Sequence, residues 1–330
     1  MTEPEPDGGG TIAEPASEAD GITDVDDVAE LVDDITENIE HVHVGNRDNI
    51  EHVLIALLAR GHILIEDVPG VGKTMLARAM ANSIDCSFRR VQFTPDLLPS
   101  DITGVNVFNQ KTQEFEFKPG PIFANVVLGD EINRAPPKTQ SALLEAMEEQ
   151  RVTIDGVTHD LPKPFTVLAT QNVIEPHRTY DLPIAELDRF MKSIELGYPQ
   201  EREEVELLDR VVGAHPIEEI GPVVDTGAIR QAQEIVSSIT VEEPVREYAT
   251  KLVNYTREEA ELGVSPRGTI ILLRAAQARA VMQGRSYVIP DDVQEEAPSV
   301  LSHRIRPNLD ESNRDGTDVV RSGLDSVHVP

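Results

Sequence analysis

The sequence predicts an α/β domain, a parallel sheet sandwiched by helices, followed by a smaller all-helical domain. Three observations carry this. Four short apolar runs, at 62–65, 87–92, 125–128 and 165–170, alternate with helical patterns, as parallel strands joined through helices do. A glycine-rich turn with a Lys-Thr pair stands between the first run and the next helix. Beyond Pro199 no convincing strand pattern appears, and 200–305 reads as helical throughout.

Taken in order, residues 1–22 are rich in Glu, Asp, Gly, Pro and Ala and are expected to form a disordered acidic arm. Over 24–41 apolar residues recur at helical spacing (Val25, Val28, Leu31, Val32, Ile35, Ile39), which predicts an amphipathic helix. A second helix over 46–59 gathers Ile50, Val53, Leu54, Leu57 and Leu58 on one side, after a short loop at 42–45. The alternating strands and helices then fill the rest of a unit at 23–198. Helices at 205–212, 228–238, 244–259 and 269–283 build a second unit at 199–307, and 308–330 is read as a flexible polar tail. The run 151–158, with Asp155-Gly156 between alternating residues, reads as a hairpin.

Composition narrows the function. The net charge is -30, from 59 acidic against 29 basic residues. The first 40 residues hold 14 acids and no Lys or Arg, and the remainder is acidic in its own right. Such a surface repels itself at low salt and is screened at molar salt, which fits a salt-loaded cytosol such as a halophilic archaeon's. An ordinary acidic enzyme is the plainer alternative. Duplex nucleic acid is a poor partner for a chain with no evident basic patch. Aromatics are 4% with no Trp, which argues against base stacking. The longest clean apolar run, 53–59, is far short of the ~20 residues of a membrane span. No export leader is evident, so a cytoplasmic location is expected. Cys86 is the one cysteine, which excludes an internal disulfide and a cysteine-based zinc cage. His43, His62, His159, His177 and His303 show no metal spacing and are read as structural.

The turn runs Glu66-Asp67-Val68-Pro69-Gly70-Val71-Gly72-Lys73-Thr74, after a strand and before a helix carrying Met75, Leu76 and Met80. This is the context of a Walker A phosphate loop. Gly70 and Gly72 let backbone N–H groups turn onto phosphates, and the helix N-terminus adds its dipole. Lys73 reaches the terminal phosphates and Thr74 ligates Mg²⁺. Pro69, Val71 and Met75 complete the expected contact run. One departure stands out: the motif's first glycine falls at position 67, which is Asp67.

Val126-Val127-Leu128-Gly129-Asp130-Glu131 is an apolar strand ending in two acids. Asp130 suits the Mg²⁺ shell and Glu131 the general base that polarises a water. Two exposed acids at a strand end are the plainer alternative.

The stretch Asp130-Glu131-Ile132-Asn133-Arg134-Ala135-Pro136-Pro137-Lys138-Thr139-Gln140-Ser141-Ala142-Leu143-Leu144-Glu145-Ala146-Met147 closely resembles the signature of the MoxR family of AAA+ ATPases, over roughly 23–306. The resemblance implies an AAA+ P-loop fold with a helical lid, and the cofactors ATP and Mg²⁺. It implies that Asn172, after the strand at 165–170, orients the attacking water as sensor 1. Arg189, in Leu187-Asp188-Arg189-Phe190, resembles an arginine finger that reaches the next subunit of a ring; a surface arginine paired with Asp188 is the alternative. Arg267, in Ser265-Pro266-Arg267-Gly268, resembles sensor 2, contacting the γ-phosphate and coupling lid angle to nucleotide state. Val44 and Gly45 resemble the loop that packs on adenine, though a helix-connecting turn explains them nearly as well. The segment between Thr94 and Lys118, with Asp101-Ile102-Thr103-Gly104, resembles a helix-2 insert. The hairpin at 151–158 resembles the pre-sensor 1 hairpin, a plain structural hairpin being the alternative.

The family resemblance implies a homo-oligomeric ring, a hexamer by family expectation. It also implies chaperone-like work on protein clients, with partners that carry von Willebrand factor A domains. Two other readings stay open. One is a chelatase-like or DNA-related AAA+ motor, and the other a nucleotide-gated assembly switch that does not hydrolyse.

Overall fold

The computed structural model describes residues 21–43, 47–68, 70–171, 180–198, 201, 204–205, 217, 220–308 and 314–330. Most of the acidic arm and the helix expected at 205–212 lie outside them.

Helix α1, Val25–Glu40, starts where the sequence dictates. The Asp24 carboxylate accepts the N–H groups of Asp26 and Asp27, and Asp27 returns the bond to the Asp24 N–H. This capping box places acids at the positive end of the helix dipole. Its face of Val28, Leu31, Val32, Ile35 and Ile39 is buried. Helix α2, Arg47–Leu58, follows.

Five strands form one parallel sheet: β1 Ile63–Glu66, β2 Phe88–Gln92, β5 Val126–Asp130, β8 Thr166–Gln171 and β9 Lys192–Ile194, in the spatial order β2-β5-β8-β1-β9. Strand β1 therefore has β8 on one side and β9 on the other, and β8 separates it from β5. Side chains alternate between two cores, as the period of two requires. Ile63, Ile65, Val126, Leu128 and Leu168 face α1–α3 and the helical domain. Leu64, Val127, Val167 and Ala169 face the other way, onto Leu143, Leu144 and Met147 of α5, Pro137–Glu149. Helix α3, Lys73–Ser83, leaves the end of β1.

Two hairpins leave this frame. The one expected at 151–158 is present as β6, Arg151–Ile154, and β7, Val157–Asp160, with Asp155 and Gly156 at positive φ in its turn. The second was not expected as strands. After the short helix α4, Pro99–Thr103, the 94–118 segment forms β3, Gly104–Asn109, and β4, Glu114–Pro119. The Phe117 ring of β4 stacks on His159 of β7, and Asn106 donates to Asp155, so the hairpins brace each other.

After α6, Ile184–Leu187, and β9, the described helical domain holds α7, Thr226–Ser238; α8, Glu243–Glu259; α9, Pro266–Met282; and α10, Pro290–Leu301. The tail expected to be flexible carries a further helix, α11, Gly316–Ser326. An Asp315–Asp318 capping box starts it, and Val319 and Val320 are fully buried against the domain.

A buried charge cluster ties β9 to that domain. Lys192 and Glu296 are both 0% exposed, with Nζ 2.6 Å from Oε2. Arg279 Nε donates to the other Glu296 oxygen at 2.7 Å, and Lys192 Nζ donates to His52 Nδ1 at 2.8 Å. Burial pushes the Glu296 carboxyl up, but Lys192 and Arg279 outweigh it and hold it below its ordinary value.

Candidate functional site

The phosphate turn closes at the C-terminal end of β1. Gly70 and Gly72 take φ of 91° and 89°, the left-handed region open to glycine, and α3 begins at Lys73 directly after. Position 67 needs no glycine, because Asp67 is not among the residues at positive φ. Its side chain has a bonding role instead. Asp67 Oδ1 accepts the Val68 N–H at 2.7 Å, and Oδ2 accepts those of Leu196 and Gly197 at 2.8 Å each. The departure from the motif thus fastens the loop entrance to the irregular segment that follows β9. Lys73 Nζ donates to the carbonyls of Val68 at 2.7 Å and Asp67 at 3.3 Å, folded back along its own loop. Burial pushes this ammonium below its ordinary value, while Asp67, Asp130 and Glu131 pull it up.

The acid pair sits at the end of β5. Asp130 Oδ1 accepts the Thr170 hydroxyl at 2.6 Å, and Oδ2 is held by the Arg90 guanidinium. Glu131 follows in the left-handed region at φ 57°, ψ 50°, which turns its side chain off the strand line. A non-glycine residue held there costs about 1–3 kcal/mol, a strain characteristic of functional positions. Its N–H is satisfied by Thr170 Oγ1 at 2.8 Å. Its Oε2 accepts from Gln92 Nε2 at 2.6 Å and from Arg134 Nη1 at 2.7 Å.

Gly70, Gly72, Lys73, Thr74 and Met75 share one cavity of about 420 Å³ with Asp130 and Glu131. Arg90, Gln92 and Thr170 line it too. These three were missed from the sequence. No motif spacing marks them; the strand register does, with Gln92 paired to Asp130 across β2–β5. The donor set suits the implied ligands. Left-handed glycines, a helix N-terminus and an ammonium match a polyphosphate, and a hydroxyl beside a carboxylate is hard oxygen chemistry suited to Mg²⁺. Val44, Gly45, Pro69 and Asn172 lie outside the described residues.

The two expected arginines are elsewhere, and together. Glu148, near the end of α5, joins them: its Oε1 is 2.7 Å from Arg267 Nη1 and its Oε2 3.6 Å from Arg189 Nε. They line a separate cavity of about 670 Å³ that shares no residue with the first. Arg267, expected at a γ-phosphate, thus lies away from the cavity lined by the phosphate loop of its own chain. The structure holds it beside Arg189, because α9 starts against the Asp188 turn, where Ser265 Oγ lies 3.3 Å from Asp188 Oδ2. His62 lies beside this cavity with a structural role. Its Nδ1 accepts the Val167 N–H, so its Nε2 carries the proton to the Met147 carbonyl, both at 3.0 Å. Burial pushes it down to about 4.

A parallel sheet in this order, a phosphate loop after β1 and an acid pair after β5 define an AAA+ type P-loop nucleotide-binding domain with a helical lid. Comparison with known proteins agrees. The model of the ATPase family associated with various cellular activities (AAA) matches residues 62–192, and the AAA lid domain model matches 254–322. The chain is 50% identical to YeaC of Bacillus subtilis, over 92% of this chain and 97% of that one. It is 41% identical to chaperone MoxR1 of Mycobacterium tuberculosis, over 81% and 73%. The crystal structure of a candidate ATPase from Cytophaga hutchinsonii superposes with a TM-score of 0.86 at 37% identity, covering 92% of this chain and 96% of that one. This chain belongs to the MoxR family of AAA+ ATPases. These relatives are bacterial and lend no support to an archaeal origin. No described helix is long and apolar enough to cross a membrane.

Proposed function

We propose that the chain is an ATP-hydrolysing subunit of a homo-oligomeric ring, a hexamer, that remodels protein clients in the cytoplasm. The observation that carries this is the convergence of Lys73, Thr74, Asp130 and Glu131 on one cavity at the ends of β1 and β5. The loop amides and Lys73 bind the triphosphate and neutralise its charge. Thr74 and Asp130 hold Mg²⁺, which supplies further positive charge at the phosphates when bound. Glu131 takes the proton of the attacking water, and Gln92 and Arg134 orient its carboxylate from one side. Asn172 orients that water, and Val44, Gly45, Pro69, Val71 and Met75 contact the nucleotide.

Transition-state charge at the γ-phosphate calls for a further cation. The pairing of Arg189 with Arg267 outside the chain's own cavity favours their service to the nucleotide of a neighbouring subunit. The name chaperone carried by MoxR1 supports protein clients. Partners with von Willebrand factor A domains are the family expectation. The charge of -30 speaks against a nucleic-acid track and favours a salt-rich cytosol.

Phosphate release from Mg²⁺-ATP tests this. Lys73→Ala abolishes turnover and weakens nucleotide binding. Glu131→Gln lowers turnover by about 10²–10⁴-fold while binding stays. Undiminished hydrolysis in both variants would refute the assignment.

A further inference from the structure

Among the described residues of the lid, the most heavily bonded side chain has no role in the chemistry above. Arg304 ends the 3-10 turn Ser302–Arg304 that follows α10, and its side chain is 2% exposed. A buried guanidinium is costly unless its N–H groups are met. Here most of them are met by one turn of the nucleotide-binding domain. Nε donates to Asp188 Oδ1 at 2.7 Å. Nη2 donates to the carbonyls of Asp188 at 3.2 Å and Phe190 at 2.5 Å. Nη1 reaches the Met191 carbonyl at 3.4 Å, and within the lid it bonds the Val300 carbonyl of α10 and meets His303 Nε2 at 2.6 Å. Four acceptors thus fall on 188–191, the turn that carries Arg189.

The same guanidinium packs on the residues that carry Arg267. Asp188 uses its second oxygen on Ser265, the N-cap of α9. A β-carbon on Gly268 would come within 3.2 Å of Arg304 Cδ, so the first turn of α9 lies against the Arg304 stem. Arg189 and Arg267 each sit one residue from a partner of this hub, and Glu148 closes the pair on the far side. Only the planar fork of arginine supplies this many directed N–H groups from one side chain.

We infer that Arg304 is a positioning residue for the Arg189–Arg267 pair, clamping the Asp188–Met191 turn to the start of α9 so that lid and turn present both guanidinium groups as one rigid unit. This rests on the reading in which the pair serves a neighbouring subunit, and the test separates the two. A displacement of about 1 Å at such a group costs about 100-fold in rate, so Arg304→Met loses about that much kcat while its affinity for a fluorescent ATP analogue changes by less than about twofold.

Mixing experiments distinguish this from a general folding defect. Glu131→Gln subunits hydrolyse only at the residual rate given above but keep their arginines. Mixed with Arg189→Ala subunits, they supply the missing guanidinium and turnover returns. Arg304→Met subunits mixed in the same way regain turnover to the same level, because their own phosphate loop and acid pair are intact. If the Arg189→Ala mixture recovers and the Arg304→Met mixture does not, the inference is overturned while the reading beneath it stands. If neither recovers, the reading falls and takes the inference with it. Native turnover by Arg304→Met alone overturns the inference directly. Asp188→Asn keeps the shape of the turn and removes the charge that Arg304 grips. It shows the same loss and the same recovery, and it decides the matter should Arg304→Met fail to fold.

Discussion

The Thr170 hydroxyl donates to Asp130 Oδ1 at 2.6 Å and accepts the Glu131 N–H at 2.8 Å. One side chain of β8 thereby fixes both acids at the end of β5. Thr170→Val keeps the shape and deletes both bonds, leaving a part-buried N–H unpaired. The expected outcome is a loss of about 1–3 kcal/mol in stability by urea titration. Turnover is expected to fall about tenfold or more, since Glu131 loses the bond that holds its left-handed backbone. Thr170→Ser restores both.

The Lys192–Glu296 pair and an exposed pair on α8 should respond very differently. Glu296→Gln leaves Lys192 buried without its counter-charge, while Arg279 keeps Glu295, and the loss costs about 3–5 kcal/mol. Glu247 lies 3.6 Å from Lys251, with the two side chains 59% and 64% exposed. Glu247→Gln there costs less than about 1 kcal/mol. Denaturant midpoints at one pH and salt concentration compare the two.

Acid should unfold the protein partly through its histidines. An unfolded histidine titrates near 6.5. Burial holds His52 and His62 down at about 4 in the folded chain. Between those values the unfolded state binds more protons, so stability falls as pH drops from about 6.5 to about 4. Each group contributes up to about 1.4 kcal/mol per pH unit across that window. Denaturant midpoints against pH check this, and His62→Gln should show a shallower slope than the native chain.

Salt should stabilise the fold. With a net charge of -30, the compact state repels itself, and the screening length drops from about 10 Å at 0.1 M to about 3 Å at 1 M. The melting temperature is therefore expected to rise from dilute buffer to molar KCl. A higher melting temperature in dilute buffer would exclude a charge-limited fold.

Much of the site was legible in the sequence because its chemistry is local. The loop at 70–74 and the acids at 130–131 each lie at the end of one apolar strand, and both motifs reach the same cavity. What escaped is set by partners distant in the chain. Strand β9 carries a lysine that only a buried Glu296 on another domain makes tolerable. Strands β3 and β4 leave Phe108 and Phe115 exposed at 50% and 72%, so no inward apolar face marked them. Helix α11 is polar and holds Gly323, whose missing side chain lets Tyr255 and Leu252 approach. Its Asp315–Asp318 spacing was the available signal. Arg90, Gln92 and Thr170 belong to the site only through strand register, and the union of Arg189 with Arg267 only through the docking of α9.

The central claim is that the turn around Gly72 and the acids after β5 form one triphosphate site. A crystal structure of Glu131→Gln grown with ATP and Mg²⁺ tests it most directly. The account predicts Lys73 Nζ within about 3 Å of a terminal phosphate oxygen, with the metal between Thr74 and Asp130. A triphosphate bound anywhere else on the chain, with Lys73 still folded onto the Val68 carbonyl, would contradict it.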